Sequence, residues 1–243
     1  MNENEITSLV RSSVHLQWDP ERINFLLKNK NINKSGYSPN KNINYFDLGT
    51  HKFARELNWV FDEVLSKLPN PCRLFAFEAN PETFNIAKNN CSHIDNLKFH
   101  NLALVSKVPE SGLIKLFTSG DGLGDSIYRK KESCVEVEAK KLSDVIRDEA
   151  IRLDECINII RMNIEGSEYD VIEDLINADL IKYFDGFYGM WDDVSKLDQK
   201  KYIKFNKILK EVGVYPFPFN GRDMRKRKSL ISESLMNSIL GRK

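Results

Sequence analysis

Apolar residues along this chain fall into short runs, separated by stretches in which they recur every three or four positions. That is the signature of strands alternating with amphipathic helices. A first run at 43–48 ends in Asp47-Leu48-Gly49-Thr50-His51, and a second at 73–78 ends in Glu78-Ala79-Asn80-Pro81-Glu82. The strongest, at 157–164, stops abruptly at Glu165-Gly166-Ser167-Glu168. Helical spacing follows each: Phe53, Leu57, Val60, Phe61, Val64 and Leu65 mark a helix over 52–67, closed by Pro69 and Pro71. Pro81 opens a second helix reaching 90, and Tyr169, Val171, Ile172, Leu175 and Ile176 lie on a helix reaching 178. A third strand is expected at 97–104, a short helix at 142–150 and a strand at 184–191. A long helix at 197–212 and a last strand at 214–219 complete the pattern.

This alternation predicts an α/β fold with a mostly parallel sheet and helices on both faces. The interval from Asp47 to Glu78 suits one strand–helix–strand unit. Ligands bind such sheets beyond the carboxyl ends of the strands, where Asp47, Glu78, Arg161, Asn163, Glu165 and Glu168 gather. Residues 111–139 break the pattern. Strands at 113–118 and 135–139 flank a glycine-rich stretch at 120–126, read as a β-hairpin insertion whose tip is a candidate lid, with Asp121 and Asp125 in reach of a substrate. Asp19-Pro20-Glu21 is a good helix start in an N-terminal extension, 1–42, whose end is a linker rich in Asn, Lys and Ser. The domain proper is then 43–220, with a basic tail at 221–243.

Composition narrows the classes. At 243 residues with 41% hydrophobic content, one substantial core is expected. A formal net charge of +1 gives no global field for nucleic acid or anionic membrane. No apolar run reaches membrane-span length, and the N-terminus lacks signal-peptide design, so a cytoplasmic location is expected. The four cysteines form no CxxC pair; reduced, mostly buried thiols are expected and no metal site. From Arg222 to Lys243, seven basic residues face two acids. That is a solvated terminal helix or a grip on an anionic partner.

At the strand ends, a glycine such as Gly49 lets backbone approach a ligand. An acid such as Glu78 can accept both ribose hydroxyls. The dinucleotide-binding GxGxxG is absent, which disfavours a nicotinamide site. Taken together, YFDLGTH at 45–51, FAFEANPETF at 75–84, HNLAL at 100–104 and IIRMNIEGSEYDVIEDL at 159–175 resemble the FkbM family of S-adenosylmethionine-dependent methyltransferases. The order and spacing match over about 42–212. The resemblance implies a Rossmann-like class I fold with a seven-stranded sheet and O-methylation of a hydroxyl on a sugar, polysaccharide or related metabolite. By position, Asp47, Gly49, Thr50 and His51 would line the methionine part of the cofactor. Glu78 would hold the ribose with Asn80 beside it, and Asn101 and Ala103 would approach the adenine. Asn163, Glu165 and Glu168 would sit by the sulfonium and the acceptor. Glu165 is the first candidate for general base, with His51 and Glu168 behind it.

Three positions depart from the family pattern. Phe53 stands where a second glycine is usual, Asn163 where an aspartate is usual, and Met190-Trp191-Asp192-Asp193 where Glu and His are frequent. Asp192 is the acid read as a substitute there. Two other readings therefore stay open: a methyltransferase fold that has lost catalysis and serves as a binding or assembly subunit, and a nucleic-acid methyltransferase using the basic tail. A small-molecule or glycan acceptor is the favoured partner, and the oligomeric state is not legible.

Overall fold

The computed structural model describes residues 41–211 apart from 121 and 123, the backbone of 216–218, and Leu235 and Ile239; of Asp192 only the backbone is described. The first strand, β1 (Asn42–Leu48), leads through α1 (Arg55–Glu63) to β2 (Cys72–Phe77), α2 (Pro81–Asn90) and β3 (Leu97–His100). A second region holds β4 (Ala103–Leu104), β5 (Leu113–Thr118) and β6 (Ser133–Lys140), and α3 (Leu142–Asp148) returns the chain to β7 (Cys156–Met162). Then come α4 (Glu168–Asn177), β8 (Gly186–Gly189), α5 (Asp192–Leu197), α6 (Gln199–Glu211) and β9 (Pro216–Pro218). The main sheet has the order β3-β2-β1-β7-β8-β9, with every neighbouring pair parallel. A smaller sheet, β4-β6-β5, holds the expected hairpin, its two long strands antiparallel.

The central strands are buried on both faces, as parallel sheets require, and therefore read as unbroken apolar runs. Ile43 and Tyr45 of β1, with Ile157 and Ile159 of β7, face Leu57, Val60 and Val64 on the α1 side. Phe46, Leu48, Ile160 and Met162 face the opposite layer, built from α3, α4 and α6 through Leu142, Val145, Ile172, Leu175, Phe205 and Leu209. Leu235 and Ile239, one helical turn apart in the basic tail, are buried in the α1-side layer. These two side chains of the tail are therefore part of the core.

The main sheet has six strands among the described residues, where seven were expected. The expected single strand over 97–104 is broken. Asn101 Nδ2 donates to the carbonyls of Glu78 and Ala79 at 2.7 and 2.9 Å, which turns the chain so that Ala103–Leu104 joins the smaller sheet. The helix expected from 52 starts only at Arg55, because His51 and Ala54 take left-handed backbone (φ 62° and 47°). The helix expected over 197–212 runs from Gln199 to Glu211, and a separate short helix, Asp192–Leu197, precedes it. Asp198 Oδ1 accepts the N–H groups of Lys200 and Lys201 and caps the longer one. Among the cysteines, Cys91 and Cys156 are buried and Cys72 is half-buried, but Cys134 is exposed on β6. The 1–42 extension, apart from its last two residues, lies outside the described residues.

Candidate active site at the sheet switch point

From β1 the chain proceeds outward to β2 and β3, and the other side of β1 is taken by β7 after the insertion. Strand order reverses between β1 and β7, and a crevice opens beyond their carboxyl ends. The two ends are tied: Asn163 N–H donates to the carbonyl of Leu48 at 2.9 Å. Gly49 has φ 85°, and a β-carbon there would collide with the carbonyl oxygen of Asn163. Glycine is required at this crossing on both counts.

Beneath this crossing lies a buried ion cluster. Arg161, 5% exposed, pairs with Asp47 at 3.2 Å and with Glu56 at 2.6 Å, and donates to the Gly49 carbonyl at 2.7 Å. Burial works against its charge, but Glu56 and Asp47 more than offset that and hold the guanidinium charged. Tyr45 and Tyr188 join their hydroxyls beside it. Asp47 thus faces inward to Arg161 and fixes the loop from beneath.

At the end of β2, Glu78 Oε2 accepts the His51 N–H at 2.9 Å and Oε1 accepts the Asn80 N–H at 3.0 Å. Asn80 caps α2 through its side-chain oxygen, which accepts from Glu82 and Thr83. Its amide nitrogen donates to Asp125 of the insertion at 2.7 Å. At the end of β7, Glu165 takes a left-handed conformation (φ 53°), and its carbonyl accepts the Ser126 hydroxyl at 2.8 Å. Glu168, fully buried, accepts the N–H groups of Ile164 and Gly166 at 2.8 and 2.9 Å. It clamps the turn in the manner of a helix-start acid.

The crevice holds a cavity of about 130 Å³. Its polar lining includes Gly49, His51, Glu78, Asp125, Ser126, Asn163, Glu165 and Ser167; Phe77, Leu102, Leu104 and Ile127 supply apolar wall. Ala103 lines it too. Three carboxyl groups line it and, among the described residues, no lysine or arginine does, so the site suits a cation. Of the residues expected from sequence, Gly49, His51, Glu78, Ala103, Asn163 and Glu165 are brought together on this wall. Asp47, Thr50, Asn80, Asn101 and Glu168 stand behind it, holding backbone or the ion cluster. Phe53 is 47% exposed, its ring tilted against that of His51 and covered by Arg55, and is not part of the cavity wall. Among the described residues, no group of acids, histidines and cysteines is placed to hold a metal. No helix among them is long and apolar enough to cross a membrane.

Burial pushes the Glu78 carboxyl up to about 7 against the pull of its two N–H donors, and does the same to Glu168. Both acids hold protons more tightly in the folded chain than in the unfolded one. Their contribution to stability is present below the ordinary glutamate range and is lost as pH rises toward about 7. The melting temperature of the ligand-free protein is expected to fall across that window by this contribution. The slope should flatten in Glu78→Gln, read by thermal denaturation at a series of pH values.

Two participants escape the sequence. Arg129 and Asp193 meet Glu165 at the rim: Arg129 Nη1 lies 3.4 Å from Glu165 Oε2, and Arg129 also pairs with Asp193. The acid described at this point is Asp193, next to the Asp192 singled out in the sequence. Arg129 carried no signal, because only the folding of the insertion over β7 places it there.

No curated protein and no solved structure gives a significant match to this chain. The family model for the methyltransferase FkbM domain matches residues 47–185, more than half of the chain. That span carries Asp47 and Gly49 at one side of the crevice and Asn163 and Glu165 at the other, with Glu78 between them, and the chain belongs to the FkbM methyltransferase family.

Proposed function

We propose that this chain transfers a methyl group from S-adenosylmethionine to a hydroxyl of a sugar, polysaccharide or related metabolite. The observation that carries the reading is the acid-lined cavity at the β1–β7 switch point. Glu78, steered by the His51 and Asn80 N–H groups, keeps lone pairs free to accept ribose hydroxyls. Phe77, Leu102 and Ala103 offer an apolar slot for an adenine. Gly49 and Asn163 bring backbone close to the methionine part. When bound, the cofactor supplies an already activated methyl carbon, so the protein's task is alignment and proton removal. Glu165 is the base that receives the acceptor's proton. Pockets for drug-sized ligands span roughly 300–1,000 Å³, so this cavity has to widen to admit the cofactor. We assign catalysis to 43–220, with 1–42 and 221–243 as flanking segments.

Asn163 lines the cavity where the family usually carries an aspartate. Asn163→Asp adds a negative charge beside a cationic ligand and is expected to tighten cofactor affinity about three- to tenfold. The test is methyl transfer from radiolabelled S-adenosylmethionine to a panel of hydroxylated saccharides, run with wild type and this variant. Incorporation in either supports the reading. Tight cofactor binding with no transfer to any hydroxyl, in both proteins, would favour a subunit that has kept the fold and lost catalysis.

A further inference from the structure

Two exposed apolar side chains meet at the turn that carries Glu165. Tyr128 comes from the insertion and Leu197 ends α5; each is 40% exposed. Both close on Gly166. A β-carbon there would collide with Leu197 Cδ1 and lie 3.5 Å from Tyr128 Cδ2, and φ is 108°, so glycine is required. The pair continues the cavity wall. Ile127, Glu165 and Ser167 line the cavity, and Tyr128 and Gly166 are their neighbours in the chain. Single exposed apolar residues are ordinary, but a joined pair at the mouth of a site marks a binding surface.

Tyr128 is held from both ends. Its N–H donates to the Ser126 hydroxyl at 3.1 Å, and that hydroxyl donates to the Glu165 carbonyl. Its own hydroxyl donates to the buried Asp170. A ligand therefore finds the ring already in place, and little side-chain freedom is lost on binding. With the hydroxyl committed, what Tyr128 offers a ligand is an aromatic face.

Polar groups adjoin the pair. Arg129, the residue after Tyr128, has its Nη1 3.4 Å from Glu165 Oε2 and also pairs with Asp193. Donors and acceptors thus stand beside an apolar, aromatic surface. A pyranose has the matching chemistry, with C–H groups on its ring face and hydroxyls around its edge. A hydrocarbon chain would use only the apolar half of this surface, and a small anion only Arg129.

We propose that Tyr128 and Leu197 form the acceptor platform, on which the apolar face of a pyranose ring lies while its hydroxyls meet Arg129, Asp193 and Glu165. This rests on the methyl-transfer reading above and deepens it. Glu165 is the one of these residues that also lines the cavity, so the hydroxyl beside it is the one presented to the methyl donor. Tyr128 and Leu197 select the sugar and take no part in the chemistry.

The test is saturation-transfer NMR on the full chain loaded with S-adenosylhomocysteine. The probes are the methyl glycosides of glucose, galactose, mannose and rhamnose. At least one should receive saturation on the C–H protons of one ring face. Tyr128→Ala should weaken that glycoside roughly tenfold, and Tyr128→Phe, which keeps the ring, should retain it. Leu197→Ser should weaken it too, and serves if Tyr128→Ala does not fold. Affinity for S-adenosylhomocysteine, read by calorimetry, should be unchanged in all three variants. Glycoside binding untouched by Tyr128→Ala and Leu197→Ser would overturn the platform and leave the methyl-transfer reading standing. A dimer in sedimentation that Leu197→Ser dissolves would assign the pair to a second copy of the chain and likewise overturn it. Binding of S-adenosylhomocysteine with no glycoside engaged would overturn the platform and the sugar acceptor together. No binding of S-adenosylhomocysteine by folded protein would overturn the whole reading.

Discussion

Arg161→Met is expected to destabilise the protein by about 3–5 kcal/mol, the usual cost of removing one partner from a buried ion pair. Arg161 touches both Asp47 and Glu56 and also closes the loop through the Gly49 carbonyl. Methionine fills similar volume but leaves Asp47 without its cation, deep between β1 and α1. The midpoint of urea unfolding reads the loss directly. Adding Asp47→Asn and Glu56→Gln to Arg161→Met should recover part of it, because the penalty is uncompensated charge and not missing volume. A triple variant no more stable than the single one would locate the cost in packing instead. Function should follow stability here. The loop at Gly49 rests on this cluster, so cofactor affinity should weaken even in protein kept folded at low temperature.

Glu78→Ala is expected to lower affinity for S-adenosylmethionine by roughly 100-fold, since hydrogen bonds to a charged group are worth about 1.5–3 kcal/mol. Glu78 is held by two backbone donors and still lines the cavity. Its carboxyl is pushed up to about 7 by burial, so near neutral pH it exchanges between proton donor and pure acceptor. Only the ionised form accepts both ribose hydroxyls. Affinity should therefore rise as pH climbs through about 7, and that rise should be missing in Glu78→Ala. S-adenosylhomocysteine, which carries the same ribose, should show the same dependence on Glu78.

What the sequence reveals and what it hides divide along the range of the interactions. The central strands were legible because β1 and β7 are buried on both faces, which forces an unbroken apolar run. Helix α2 was legible to the residue because its signals are local: Asn80 caps it and Pro81 starts it. The break at Asn101–Leu102 was not, since it depends on carbonyls of Glu78 and Ala79, some twenty positions earlier. The delayed start of α1 was hidden for a different reason. Ala54 in left-handed backbone is contrary to its propensity, and it is held there inside the core, fully buried. In the site, the strand-end acids were visible as types but not as partners. Asp47 and Glu168 look alike in sequence to Glu78 and Glu165, yet the first neutralises Arg161 and the second clamps a turn. Asp193 and Arg129 reach Glu165 only through tertiary folding.

The central claim is a cofactor pocket built on Glu78 at the sheet switch point. Calorimetric titration of the purified, folded protein with S-adenosylmethionine and S-adenosylhomocysteine tests it most directly. The account predicts saturable binding of both in the micromolar range and a large loss in Glu78→Ala. No heat of binding at millimolar ligand, or affinity indifferent to Glu78→Ala, would contradict it.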